Sequence, residues 1–282
     1  MTSAGLLLDG ELVSLPGLAV IPPASHGGPA WNALHADDYA PRTAAVQILT
    51  LHATGGRWPQ PILPSAGPPG HARQILEMWS GADRGGGERV HSAAPLVVDF
   101  DGTIYCAADI VRTAAHHAQL INARSVGIEM CTTPEGGLYQ ATIDATARLV
   151  ALLTWSGLEK AGLLPIPAQM PRGPYRGAPL RRLELAGRQT DGRDVFGAIG
   201  HRDVTARRGR GDPGDAIWAA LAALGFEEFD YDGGEDLELG RARQAMLVAR
   251  GERIAVDGLV GRESLAAARR QGRGRWREVP VA

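Results

Sequence analysis

Lysine is nearly missing from this chain: Lys160 is the only one in 282 residues, so positive charge rests on arginine. We read that skew as base composition of the coding sequence. Its chemical consequence is that any fixed cation acts through charge and hydrogen bonding, because arginine does not give up its proton near neutral pH. Cysteine is equally scarce. Cys106 and Cys131 are too few in a chain of this length for a disulfide framework, and separate reduced thiols are the expectation. No run approaches the roughly 18 uninterrupted apolar residues of a membrane span. No lysine or arginine precedes Arg42, and Asp9 and Glu11 interrupt the early apolar run. Residues 1 to 20 therefore lack the layout of a signal peptide, and export by the standard route is not expected. A formal charge of −2 argues against a nucleic-acid binder held by net electrostatics.

What is present suits a globular protein: 44% hydrophobic and 21% charged residues, and enough length for one large domain or one domain plus a small one. Residues 1–40 carry glycine, proline and alanine with little periodicity and read as an extension packed over the domain, with Leu6–Leu8 and Leu18–Ile21 as short edge strands. Val46 to Leu51 reads as a buried strand ending at His52. A proline- and glycine-rich stretch over 55–70 is too long for a simple connector and is a candidate groove rim. Ala72 to Trp79 has helical spacing.

Leu96-Val97-Val98 and Thr103-Ile104-Tyr105, joined around Asp101-Gly102, carry the Asp-Gly hairpin signal. Ser125 to Met130 reads as a strand. Thr142 to Leu158 has the best helical period of the chain. Residues 163–194, with five prolines and six arginines, read as an insertion loop. Asp215 to Leu224 is helical, its first carboxylate favourable to the dipole. Beyond Phe226, two helical patterns, Leu237–Arg250 and Arg262–Gln271, make a piece small for an independent core. The predicted organisation is an extension (1–40), a main domain (41–225) and a small helical segment (226–282).

The chemistry concentrates where apolar runs end. His201 follows Val195, Phe196, Ala198 and Ile199, and Asp212 returns eleven residues later on a glycine- and arginine-rich loop; His52 ends another such run. Two histidines and one carboxylate, with a fourth position left to water, form a ligand set used by hydrolytic rather than structural zinc.

In order along the chain stand His52, Asp101-Gly102-Thr103-Ile104-Tyr105, His117-Ala118, Asn122 before Ser125-Val126-Gly127-Ile128-Glu129, and Gly200-His201-Arg202-Asp203 with Asp212-Pro213-Gly214. Over roughly residues 44–225 this series resembles the type 2 N-acetylmuramoyl-L-alanine amidases, a family that also includes phage amidase endolysins and the peptidoglycan recognition proteins. The resemblance implies an α/β fold, a mixed central sheet flanked by helices, with Zn2+ held by His52, His201 and Asp212. It implies cleavage of the amide between N-acetylmuramic acid and L-alanine of the stem peptide. Glu129 matches the glutamate that assists water. Arg210 stands where many members carry lysine. His117 matches a groove histidine, and Asn122 either contacts substrate or braces the strand. Asp203 reads either as a brace for a ligand histidine or as a loop residue.

One departure from the family pattern lies before the hairpin, where many members have a tyrosine near the metal and this chain has Ala93-Ala94-Pro95. Val256-Asp257-Gly258-Leu259-Val260-Gly261 and the residues after it faintly resemble a small helical peptidoglycan-binding repeat without its aromatic ending. The implied partner is peptidoglycan or a muropeptide. Two other readings stay open at this point: a peptidoglycan-binding module without catalysis, and a cytoplasmic amidase that recycles muropeptides. For a wall-directed enzyme, the missing signal layout implies delivery by lysis, a holin or a secretion system.

Overall fold

The structure is a computed structural model and describes residues 5–54, 70–80, 93–155, 162–171, 197–204, 212–229, 245–254 and 267. Four short strands come first: β1 (Leu6–Leu8), β2 (Glu11–Val13), β3 (Val20–Ile21) and β4 (Tyr39–Pro41). Then follow β5 (Ile48–Ala53), α1 (His71–Trp79), β6 (Leu96–Val98), β7 (Ile104–Cys106), β8 (Thr113–Ala115), a 3-10 turn over Gln119–Arg124 and β9 (Ser125–Met130). The remainder is α2 (Gln140–Leu153), β10 (Thr154–Trp155), β11 (Ile166–Pro167), β12 (Gln169–Pro171), β13 (Gly197–Gly200), α3 (His201–Val204), α4 (Ala216–Ala223) and β14 (Glu227–Phe229).

Six strands form the central sheet in the order β13-β5-β9-β6-β7-β3. Neighbours from β13 to β6 run parallel, β6 and β7 are antiparallel, and β3 runs parallel to β7. The fold is thus α/β with a mixed central sheet. Because side chains alternate along a strand, the sheet has two different faces. Leu49 and Leu51, Val126, Ile128 and Met130, Leu96 and Val98, and Ala198 join the main core with Leu149, Val150 and Leu153 of α2 and Ile217 and Leu221 of α4. At roughly 1.5–3 kcal/mol per fully buried aliphatic side chain, that layer supplies much of the driving force for folding. On the other face, Ile75, Leu76 and Trp79 of α1 pack with Val97, Tyr105 and Cys131. Ser125, Gly127 and Glu129 alternate with the core residues of β9 and so lie on this second face, as do Thr50 and His52 of β5.

The hairpin of β6 and β7 forms where Asp101-Gly102 predicts it, with Gly102 at φ 85° in its turn. Asp99, at the end of β6, has a second task. Its carboxylate accepts the Gly70 and Phe100 N–H groups at 2.7 and 2.9 Å and that of Ala72 at 3.4 Å. Since α1 has no side-chain cap of its own, the hairpin supplies the anion its first turn needs.

Two sequence expectations change. The helix predicted to reach Leu158 ends at Leu153, because Thr154 takes extended backbone and pairs with Ile166 as β10 begins, its hydroxyl resting on the Val150 carbonyl at 2.9 Å. Part of the stretch read as an insertion loop is strand: β11 pairs with β10, and β12 pairs with β14. Proline falls within both, at Pro167 and Pro171, which suits short two-stranded pieces and hides a strand pattern. The short edge strands expected at Leu6–Leu8 and Leu18–Ile21 form as β1 and β3, the latter an edge strand of the central sheet, and Leu6, Leu7, Leu15 and Val20 share the main core. The N-terminal hairpin is tied down by Asp109, whose carboxylate accepts the Asp9 and Gly10 N–H groups at 3.1 and 2.6 Å.

Cys106 and Cys131 are both buried free thiols. Among the described residues no helix is long and apolar enough to cross a membrane. The candidate groove rim over 55–69, the rest of the stretch to 194 and the Val256–Gly261 motif lie outside the described residues; near the C-terminus Leu247 packs on Ala267 and Ile254.

Candidate metal centre

Parallel strands end together, and the site is built from that fact. His52 is paired with Glu129 across β5 and β9. Gly200, the last residue of β13, is paired with Leu51, so His201 is the next residue along beside His52. Glu129, His52 and His201 therefore stand in a row at the carboxyl ends of three adjacent strands, where open α/β sheets receive ligands. The rings of His52 and His201 confirm the approach, with centroids 4.4 Å apart. His52 lies inside β5, one residue before its end at Ala53.

Asp212 closes the group from a turn far along the chain. One carboxylate oxygen, Oδ1, accepts the Ala53 N–H at 3.0 Å; the other, Oδ2, lies 3.0 Å from His201 Nδ1. One ligand atom from each of His52, His201 and Asp212 falls within 4.8 Å of the others, and all three residues are buried.

The donor set fits zinc. Tetrahedral coordination with bonds of about 2.0–2.1 Å places ligand atoms roughly 3.4 Å apart, a value that falls between the 3.0 Å from His201 Nδ1 to Asp212 Oδ2 and the 4.8 Å limit of the group. The buried Nδ1 of His201 makes no aligned hydrogen bond among the described residues although Asp212 Oδ2 is 3.0 Å away. Ligand atoms this close, on three buried side chains, suit a shared cation. The Ala53 N–H that orients the carboxylate is the kind of outer support metal ligands require.

His117 forms the wall behind His52, its ring edge-on with centroids 5.6 Å apart. It is only 5% exposed, with Nδ1 at 2.9 Å from the Ala115 carbonyl and Nε2 at 2.8 Å from the Ser125 hydroxyl. Burial is the largest influence on the ring and lowers its pKa to about 3, against the Ala115 carbonyl, which raises it, while His201, Arg42 and His116 lower it further. A neutral ring carries its proton on Nδ1 to satisfy Ala115, leaving Nε2 beside the Ser125 hydroxyl, whose single proton also has the Ile121 carbonyl at 2.9 Å to serve. Both nitrogens are engaged by protein, and what His117 presents to the site is a ring edge. Gly127 makes room for it: a Cβ there would lie 2.7 Å from His117 Cγ and 3.0 Å from Ala94 Cβ. Ala94, in the stretch where the family pattern often has tyrosine, thus packs under this wall.

Asn122 is a brace in this arrangement. Its Oδ1 accepts the His117 and Ala118 N–H groups at 3.2 and 2.7 Å. Arg42 fixes the same turn, donating to the Asn122 and Ala123 carbonyls at 3.2 and 3.0 Å and to Ile110 and Thr113 at 3.2 and 2.6 Å. Burial pulls the Arg42 pKa down to about 10, with Asp109 opposing.

Glu129 is half-buried on the face it shares with His52. Arg210 lies outside the described residues. Ser125 and Gly127 stand in the motif that ends at Glu129 but carry no assigned role in the sequence; the two-residue alternation leading to Glu129 puts them on its face.

The sequence model of the family described as N-acetylmuramoyl-L-alanine amidase matches residues 42–215. No curated protein matches the chain. Among solved structures, a selenomethionine AmpD derivative is similar at a TM-score of 0.41 and 16% identity, covering 78% of this chain and 98% of its own. The peptidoglycan recognition protein PGRP-Hd from Alvinella pompejana is similar at a TM-score of 0.33 and 18% identity, covering 48% of this chain and 77% of its own.

Proposed function

Because this chain belongs to the N-acetylmuramoyl-L-alanine amidase family, we propose that it is a zinc-dependent hydrolase of peptidoglycan or its fragments, cleaving the amide between N-acetylmuramic acid and L-alanine. The observation that carries the proposal is the convergence of His52, His201 and Asp212, far apart in sequence, within 4.8 Å. Zinc bound to such a set acidifies water toward neutrality and polarises an amide carbonyl.

The chain's own residues do the rest. His52 and His201 offer neutral nitrogens, and Asp212, held by the Ala53 N–H, offers Oδ2. Glu129, beside His52 in the sheet, takes the proton from the attacking water and returns it to the leaving amine, a service worth about 10²–10⁴ in rate. Arg210, two residues before Asp212 in the chain, stabilises the oxyanion that develops on the carbonyl, by charge and hydrogen bonding alone.

The test is to incubate purified protein with sacculi and with soluble muropeptides, before and after chelation. Release of new L-alanine amino groups that is lost on chelation and restored by zinc supports the reading. Binding to sacculi without release would leave a binding module in its place, and release from soluble muropeptides alone would assign a recycling substrate.

A further inference from the structure

We propose that Asp203 is a positioning residue that sets His201 against Asp212, so that grip on the metal depends on a carboxylate that does not touch it. The proposal rests on the reading of His52, His201 and Asp212 as a zinc site.

His201 opens a helical turn of only four residues, His201–Val204. So short a helix has no stability of its own, because nucleation costs more than its few hydrogen bonds return. Its first residue must be fixed by more than the helix's own backbone bonds. Asp203 is 1% exposed, and its Oδ2 accepts the Gly200 N–H at 2.7 Å, closing a loop around His201 from the residue before it to the second residue after it. A carboxylate accepting a buried backbone N–H is among the stronger protein hydrogen bonds.

The other ligand is drawn into the same knot. A Cβ at Gly200 would lie 2.8 Å from Pro213 Cδ, 3.1 Å from Asp203 Oδ2 and 3.4 Å from the Asp212 carbonyl oxygen. Pro213, which follows the ligand Asp212, therefore packs onto the bare backbone of the residue that precedes the ligand His201. Gly200 is required here for close approach, and the carboxylate and the proline ring press on the same point. The two ligands are joined across this knot as well as through the chain between them. The bond from Gly200 N–H to Asp203 Oδ2 braces the ligand His201 through the backbone of the residue before it.

The experiment measures zinc affinity by competition with a chromophoric chelator on the full chain, for wild type, Asp203→Ala, Asp203→Asn and Gly200→Ala. Removal of outer support usually costs about 10–100-fold in metal affinity, and that loss is expected for Asp203→Ala and Gly200→Ala. Asp203→Asn keeps an oxygen that accepts the same N–H and should stay closer to wild type than alanine does. A merely structural role would lower the melting temperature of the metal-free protein while leaving zinc affinity of the folded chain unchanged. Wild-type affinity in Asp203→Ala overturns the proposal, and so does an asparagine variant as weak as alanine. Should Asp203→Ala fail to fold, the other two variants decide by the same measure. If wild type itself binds no zinc, the metal reading falls and takes this inference with it, an outcome distinct from a zinc-binding wild type with zinc-binding variants.

Discussion

His52 and Glu129 are directly paired residues of two parallel strands, side by side on one face of the sheet. Their spacing is set by the interstrand distance of about 4.8 Å. A group used to move protons next to a metal must not drift, and here the sheet's own ladder keeps it in place. His201 reaches the other flank of His52 by the same register.

Replacing Glu129 by Ala should therefore leave zinc content at wild-type level and lower kcat about a hundredfold or more, within the range for general acid-base groups. Glu129→Gln, equal in size, should lose nearly as much. Steady-state kinetics beside metal analysis checks both, and undiminished kcat would remove Glu129 from proton transfer.

Replacing His201 by Ala should abolish stoichiometric zinc, since one of the three proposed ligands is gone. His117→Gln, made at a ring whose two nitrogens already serve Ala115 and Ser125, should keep its zinc. Metal analysis after gel filtration distinguishes them; one zinc per chain in the His201 variant would break the ligand set.

Gly127→Ala should destabilise by about 1–3 kcal/mol, the usual cost of overpacking, because the new methyl group would sit 2.7 Å from His117 Cγ. The displaced ring would press on His52. Pairing Gly127→Ala with His117→Ser should recover part of the loss, and a double-mutant cycle of chemical denaturation measures the coupling.

The two thiols should resist alkylation in the native protein at pH 8. Burial pushes the Cys106 thiol up to about 12 and holds Cys131 well above its ordinary range, with Asp99 and Glu129 adding to the latter. The sign follows from linkage: above about pH 9 the unfolded chain gives up a proton that the folded chain keeps at Cys106. Stability from this group is thus lost as pH rises from about 9 toward 12. Mass spectrometry after iodoacetamide treatment, with and without denaturant, checks the first point. Denaturation midpoints of wild type and Cys106→Ala across that pH range check the second.

Much of the sheet was legible because its strands carry strong local signals. β-branched and apolar runs marked β5 and β9, and Asp101-Gly102 marked the hairpin of β6 and β7. The small strands β8, β11 and β12 were not legible. Thr113–Ala115 is short and alanine-rich, and the other two hold proline, so each becomes strand only when a distant partner is beside it. The end of α2 was missed for the same reason, since the apolar period continues past Leu153 while Thr154 is drawn into strand pairing with Ile166.

Sequence alone determined which residue types were on offer: two histidines that follow or end apolar runs, Glu129 within another such run and Asp212 on a glycine- and arginine-rich loop, in a chain whose cations are nearly all arginines. Their chemistry is intrinsic to those side chains and needs no fold to be named. Only tertiary structure decided that Glu129, His52 and His201 share one register, that Asp212 takes its aim from the Ala53 N–H, and that His117 and Asn122 spend their hydrogen bonds on the protein itself. Those outcomes depend on which strand ends lie side by side and which backbone groups the sheet leaves unpaired, and both are fixed by contacts between segments as much as 159 residues apart.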